Sequence, residues 1–412
     1  MTFIAKWNRR RFLGATGLFA GWAAAPRKLL SAKLRAATQE PLPNVYEELG
    51  ITTVINGQGT MTALGGSLIP AEVGAAMAAA SQHFVRITEL QVAAGNRIAQ
   101  MLKLPEGHTA LVTSGAAGAI TIGTAAALTG DDEELIRRLP DLTGMKSEVI
   151  IQRSHRYPFD QQIRATGVKL VEVETRDDFL QAFNTEKTAL AFFTNYLNSA
   201  GRIKVDEFPK LAKRFNIPCF NDAAADTPPV SRLWEYNQMG YDLVAFSGGK
   251  AIRGPQCAGL LLGRKDLIAN ALLNTCPHED TLGRSMKVGK EEIVGMVKAL
   301  ELYLAADHEA LMREYWARLD TVAAELKQVP GVSTSVHVPE IANCVPHMQI
   351  NWDPRRISLS PEQAFNLMKN SKPSIMLGRN ETGLSLASFQ LRPGEEKIVA
   401  ERLVQILHEH RT

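Results

Sequence analysis

The sequence predicts an α/β protein, a mostly parallel seven-stranded sheet flanked by helices, joined to a smaller α+β domain. Three observations carry this. Between residues 110 and 263, seven short apolar runs bounded by turn residues alternate with helical stretches or turns, as strands buried on both faces do. They are Ala110-Leu111-Val112, Val149-Ile150-Ile151, Leu170-Val171-Glu172-Val173, Leu190-Ala191-Phe192-Phe193, Ile217-Pro218-Cys219-Phe220, Leu243-Val244-Ala245-Phe246 and Gly259-Leu260-Leu261-Leu262. From Met286 to Gln328 there are few breakers, and Ile293, Met296, Val297, Leu300 and Leu304 repeat at helical spacing, which predicts a helical connection to a second unit. Beyond it, strand-like Met348-Gln349-Ile350 and Leu384-Ser385-Leu386 intersperse with helical patterns over 361–370 and 394–410.

Composition agrees with a folded globular chain. The 412 residues are 45% hydrophobic and 22% charged, which excludes disordered, collagenous and coiled-coil classes. A chain this long exceeds what one core supports, so a large domain over 38–285 and a linking helix with a small domain over 286–412 are expected. There is no internal repeat, no low-complexity linker and, past the N-terminal segment, no apolar stretch long enough to span a membrane.

Charge is unevenly placed. Eight of the 46 Lys/Arg and none of the 43 Asp/Glu fall in residues 1–39, leaving 38 basic and 43 acidic residues, a net of −5, on the body. The basic pI near 8.6 therefore belongs to the N-terminal extension. A body of this sign disfavours nucleic-acid binding. The extension reads Asn8-Arg9-Arg10-Arg11-Phe12-Leu13-Gly14, then an apolar stretch through Leu18-Phe19-Ala20 and the small run Ala23-Ala24-Ala25. A basic head, a short apolar segment and small residues are what an export signal requires, and the paired arginines beside Phe12-Leu13 resemble the twin-arginine type. Residues 1–37 are read as that signal, a membrane anchor or a chance basic-apolar arm being the alternatives; the expected partner is the twin-arginine export machinery and the expected location periplasmic or otherwise exported. The resemblance implies export of a chain already folded around its cofactor.

The four cysteines, Cys219, Cys257, Cys276 and Cys344, form no CxxC pair and have no histidine pairs at ligand spacing, so no metal centre is expected. A disulfide between two of them is open to an exported chain; Cys219, in an apolar strand, reads as an inert buried thiol.

Three constellations stand at strand ends, where ligands bind in open α/β sheets. In Phe220-Asn221-Asp222-Ala223-Ala224-Ala225 a carboxylate follows a buried run. In Asp242-Leu243-Val244-Ala245-Phe246-Ser247-Gly248-Gly249-Lys250 a buried strand ends in small residues and a lysine, a group that acts as nucleophile or base once desolvated. In Thr113-Ser114-Gly115-Ala116-Ala117-Gly118-Ala119 a small-residue turn leads from strand to helix, leaving backbone N–H groups free for a phosphate. Each alone has a plain reading: tight packing, a helix cap or a solvated charge. In this order, with the lysine 28 residues after the aspartate, they meet the needs of pyridoxal 5′-phosphate: a phosphate anchor, a carboxylate for the pyridinium nitrogen and an amine for the aldehyde.

The arrangement resembles the fold-type-I pyridoxal-phosphate enzymes. Val54-Ile55-Asn56-Gly57-Gln58-Gly59-Thr60, Leu64-Gly65-Gly66-Ser67, Ser154-His155-Arg156-Tyr157-Pro158-Phe159-Asp160, and Phe246-Ser247-Gly248-Gly249-Lys250 with Gly254-Pro255-Gln256 resemble the group of bacterial selenocysteine synthases and D-glucosaminate-6-phosphate ammonia-lyases over about residues 44–400. The resemblance implies that Lys250 joins the cofactor aldehyde, Asp222 pairs with the ring nitrogen, His155 stacks on the ring face, and Ser114, Gly115, Ala116 and Ser247 surround the phosphate. It implies a homodimer or higher homo-oligomer with sites at the subunit interface, and an N-terminal glycine-rich segment, here Thr60 and Gly66, near the substrate. His155 has an alternative reading as a hydrogen-bonded core or cap histidine.

Arg379 and Arg392 fall in the small domain, where fold-type-I enzymes place an arginine for the substrate carboxylate. A guanidinium suits that bidentate task, the Leu391-Arg392-Pro393 context favours Arg392, and a solvated surface charge is the alternative for both. Selenocysteine synthases carry an acidic residue where this chain has Gly249, and a tRNA-binding domain where it has the export segment. With the charge balance this argues against a tRNA substrate. The expected function is a pyridoxal-phosphate-dependent lyase acting on a small amino acid or amino sugar acid, with Lys250 as the general base. An aminotransferase or racemase is the alternative, and a catalytically silent pyridoxal-binding protein a less favoured one.

Overall fold

The computed structural model describes residues 44–412; the export segment read over residues 1–37 lies outside the described residues. Val45–Glu48 forms one helical turn, capped where the Asn44 side chain accepts from the Tyr46 N–H. Residues Thr52–Thr412 form a single compact unit holding two sheets. The 285/286 boundary expected from sequence thus runs between sheets inside that unit.

The strands are β1 (Val54–Gly57), β2 (His108–Thr113), β3 (Glu148–Gln152), β4 (Lys169–Val173), β5 (Thr188–Thr194), β6 (Cys219–Asp222), β7 (Leu243–Ser247), β8 (Gly259–Arg264), β9 (Val332–His337), β10 (His347–Trp352), β11 (Ser374–Arg379) and β12 (Gly383–Ala387). Strands β2 to β8 build the large sheet in the order β2-β8-β7-β6-β5-β3-β4. It is parallel from β4 to β7, and β8 runs against both β7 and β2. Two antiparallel steps restore direction, so β2 ends at the same edge as β5, β6 and β7. Successive strand residues pack on opposite faces: Val112, Phe193 and Val244 enter one core, Leu111, Phe192 and Leu243 the other. That double burial is why the inner strands are continuous apolar runs; β4, at the sheet edge, buries only Val173.

The helical run after residue 286 is two helices, Lys290–Ala305 and His308–Leu326, interrupted at Ala306-Asp307. The Asp307 carboxylate caps the second helix, accepting from the Ala310 N–H at 2.8 Å. The smaller sheet has the order β1-β11-β12-β10-β9. Its first strand is β1, parallel to β11, so residues 54–57, grouped with the large domain on sequence, are hydrogen-bonded into the small one. Neither β9 nor β11 stands out in the sequence: β9 reads Val-Ser-Thr-Ser-Val-His and buries none of its residues fully.

Candidate functional site

The carboxyl edge of the large sheet gathers most of the residues singled out from sequence. Thr113 at the end of β2 pairs with Gly259, and Gly259 pairs with Ser247 at the end of β7, so the Ser114 turn and Ser247 stand two strand spacings apart, about 10 Å. A β-carbon on Gly259 would lie 2.5 Å from the Gly115 carbonyl carbon, so only glycine lets the turn seat on the sheet. Ser114 is the N-cap of the helix Gly115–Thr129, its side chain caps nothing, and the first turn holds no acidic residue. The amides of Gly115, Ala116 and Ala117 have no acceptor among the described residues. Such a helix start carries partial positive charge and free donors for an oxyanion.

Asp222 ends β6 beside Ala245 of β7 and is 8% exposed. Its Oδ1 accepts from the Ala224 N–H at 3.1 Å and its Oδ2 from the Tyr157 hydroxyl at 2.5 Å. Burial raises its pKa, opposed by the Tyr157 hydrogen bond and by the charge of Lys250. Lys250 stands on the turn after β7, where its carbonyl accepts from the Arg253 N–H at 2.9 Å, while its Nζ makes no hydrogen bond or ion pair among the described residues. Burial lowers its pKa, against the pull of Asp222 and Asp226. A buried carboxylate short of cationic partners, an unpartnered, partly buried amine and a free helix start are complementary in charge to a pyridinium, an aldehyde and a phosphate. The described residues therefore fit pyridoxal 5′-phosphate.

Gly66 joins this group. It sits at φ +74°, and a β-carbon there would fall 1.7 Å from Gln256 Oε1 and 2.7 Å from the Gly249 carbonyl. The next residue locks the contact, since Ser67 donates both its N–H and its hydroxyl to the Gly249 oxygen, each at 3.0 Å. Thr60 follows β1 on a turn that Asn56 holds by bonds to Gln58 and Gly59, close to Phe389 of the small domain.

His155 departs from its expected place. Its ring is wholly buried, edge-on to Phe193 at 4.5 Å, with Nδ1 accepting from the Thr194 N–H at 3.2 Å and Nε2 beside the Gln152 amide at 3.1 Å. Burial lowers its pKa to about 4. No face is open for a cofactor ring, so the core reading, not the stacking one, describes this histidine. The 3-10 turn Arg153–His155 drives the imidazole into the core and brings Tyr157 to the cleft.

The two arginines also lie elsewhere. Arg379 points outward at the end of β11, 3.7 Å from Glu362, and Arg392 is exposed with its backbone N–H on Glu395. Both are surface charges; Arg379 is the last residue of β11, beyond Ile375 and Leu377, which fill the core on that face, so its side chain passes the core and reaches solvent.

Sequence reasoning passed over Tyr157 and Asp226. Asp226 is 1% exposed, its Oδ2 accepting from the Asn195 amide and from the Tyr236 hydroxyl at 3.1 Å, and burial pushes its pKa up to about 6. The available signal was its position four residues past Asp222. All four cysteines are free, and Cys219 is buried with its pKa pushed far up.

Comparison with known proteins bears on this geometry. The family model for SelA, L-seryl-tRNA selenium transferase, matches residues 54–330. The D-glucosaminate-6-phosphate ammonia lyase of Salmonella typhimurium is 29% identical over 377 residues, covering 88% of this chain and 98% of that protein. A 5'-C-glycyluridine monooxygenase-decarboxylase from a Streptomyces species is 29% identical over 384 residues, 89% of this chain and 92% of the other. A solved structure of D-glucosaminate-6-phosphate ammonia-lyase superposes with a TM-score of 0.78 at 28% identity, over 90% of this chain and 100% of that one.

Proposed function

The chain belongs to the SelA family, and from that membership we propose that it is a pyridoxal 5′-phosphate-dependent lyase of the ammonia-lyase type, acting on a small amino acid or amino sugar acid. The observation that carries the reading is the juxtaposition of an unpartnered, partly buried Lys250 amine with the buried Asp222 carboxylate. Selenium transfer to tRNA is not adopted: Gly249 stands where selenocysteine synthases are acidic, and the body outside residues 1–39 has a net charge of −5.

When bound, the cofactor supplies an electron sink for the pair released at the substrate α-carbon. The protein supplies the rest. The free amides of Gly115 and Ala116, with the Ser114 and Ser247 hydroxyls, would hold the phosphate, and Asp222 would keep a proton on the ring nitrogen. Burial favours the neutral Lys250 amine, which takes the α-proton at Nζ. Loss of a β-hydroxyl as water, followed by hydrolysis of the released enamine, gives a 2-keto acid and ammonia, with water lost once and regained once. The deciding experiment is a screen of D- and L-amino acids and amino sugar acids, D-glucosaminate 6-phosphate included, with no keto-acid acceptor present. Equimolar keto acid and ammonia are expected. Turnover that appears only when an acceptor is added would replace the lyase by an aminotransferase.

We further propose a homodimer or higher homo-oligomer, and export by the twin-arginine route to the periplasm. Arg9 and Arg10 both changed to Lys should hold a full-length chain in the cytoplasm; a wild-type protein found there at full length would refute export.

A further inference from the structure

A cavity of about 450 Å³ is lined by neither Lys250 nor Asp222, but by the turns that follow each of them: Ala251 to Arg253 after the lysine, and Pro228 to Val230 after the aspartate. The helices Lys290–Ala305 and His308–Leu326 and the Ser388–Gln390 turn close it. Its walls are mostly apolar, from Ile252, Leu302, Leu311, Met312 and Phe389.

Three polar side chains line it without a full set of partners. Arg253 is a non-glycine residue at φ +58° whose Nε donates to the Leu68 carbonyl at 2.9 Å, tying the guanidinium to the loop that carries Gly66 and Ser67. Its two terminal nitrogens meet no carboxylate among the described residues. The Tyr315 hydroxyl has no hydrogen bond among them either, and the charges of Arg253 and Arg318 act on it against the upward push of burial. The Gln390 amide is likewise unpartnered. Of the other ionisable neighbours, Tyr303 shares a hydrogen bond with the Thr227 hydroxyl, the Cys344 thiol donates to the Glu340 carbonyl, and the Glu309 carboxylate is turned to solvent, 92% exposed. Arg318 donates to the Ser388 and Leu391 carbonyls and to Glu314, His308 meets the Tyr303 carbonyl, and Glu309 faces Arg313 at 3.8 Å. An uncommitted guanidinium, a phenol and an amide at one apolar cavity form a donor set for a carboxylate or phosphate.

We propose that this cavity seats an oxyanion of the substrate, carboxylate or phosphate, held by Arg253 with the Tyr315 hydroxyl and the Gln390 amide. The assignment rests on the reading of the chain as a lyase of amino acids or amino sugar acids, and it gives to Arg253 the task that Arg379 and Arg392 face away from.

The test uses the cofactor-loaded protein, whose own phosphate site is filled. Wild type, Arg253→Gln, Arg253→Lys and Tyr315→Phe are first matched for thermal midpoint and visible absorbance. Inorganic phosphate and acetate are then titrated by calorimetry and tried as inhibitors against the amino substrate. Competitive binding to wild type is expected. Arg253→Gln should weaken the bound anion and raise KM by ~10- to 100-fold with a much smaller change in kcat, the mark of lost uniform binding, with Arg253→Lys between. A KM effect confined to substrates with a second anionic group places the distal group in the cavity; an equal effect on all substrates places the α-carboxylate there. Wild-type anion affinity in Arg253→Gln, or anion binding that does not compete with substrate, overturns the proposal. If no amino acid or amino sugar acid is turned over, the lyase reading falls while the calorimetry still decides the anion site.

Discussion

The carboxyl edge of the large sheet and the five-stranded sheet of the small domain answer differently to the same kind of reasoning. At the large-sheet edge, Ser114, Asp222, Ser247 and Lys250 are brought together by the register of β2, β8, β7 and β6. In the small domain, Arg379 and Arg392 face solvent. The difference lies in what fixes each side chain. A residue just past the end of a doubly buried parallel strand has one place to go, the crevice beyond the sheet. In the small domain the strand end offers no such crevice: Arg379 closes β11 past the last core residue on its face, Leu377, and its side chain runs out to solvent.

The comparison breaks most directly at Lys250. Lys250→Ala should lower kcat by ~10⁴-fold, the upper range for a positioned base, and abolish borohydride fixation of the cofactor to the chain. Retained turnover would dissolve the edge as a site.

A second test separates the groups behind the edge from those on it, through opposite pH dependences. The folded-state pKa of His155 is lowered to about 4, so its contribution to stability is present above about 6.5 and is lost as the pH falls towards 4. The folded-state pKa of Asp226 is raised to about 6, so its contribution is full below the ordinary carboxylate range and is lost as the pH rises through 6. Each is worth about 3 kcal/mol at most. Denaturant midpoints at pH 4.5 and 7.5 should show His155→Gln losing less stability than wild type on acidification, and Asp226→Asn gaining relative to wild type as the pH rises. Parallel curves for all three proteins would contradict both burials.

Asp222→Asn keeps the shape and removes the charge. A fall in kcat of ~10²-fold, about 2.7 kcal/mol, is expected with a smaller change in KM, whereas a residue that merely capped the following turn would cost stability and spare turnover. Thermal midpoint and kinetics on one preparation distinguish these.

Gly66→Ala places a β-carbon against Gln256 and the Gly249 carbonyl at a left-handed φ, and should cost ~1–3 kcal/mol of strain and displace the Lys250 turn, read as lower thermal stability together with a raised KM. An unchanged variant would mean that the loop is not seated on that turn. The smallest effect belongs to Arg379→Gln, which removes an exposed 3.7 Å pair and should change stability by under ~0.5 kcal/mol and leave the KM of amino substrates alone. A large rise in KM would return Arg379 to the site.

By itself the sequence determined the strands of the large sheet, because burial on both faces writes the inner ones as continuous apolar runs and edge strand β4 still keeps Leu170, Val171 and Val173, and it determined which polar residues end those strands. Only the tertiary structure decided the partners. β1 joins β11 across more than 300 residues, β9 is too polar to read as a strand, and a single turn exchanges His155 for Tyr157 beside Asp222. Arg253, three residues from Lys250, carries no local mark that separates it from any surface arginine; its distinction is that no carboxylate reaches it and that an apolar cavity does. Local pattern encodes burial and periodicity, and these fix where a strand ends. Which side chains then face each other depends on contacts between segments remote in the chain, and these arise only when the two sheets pack.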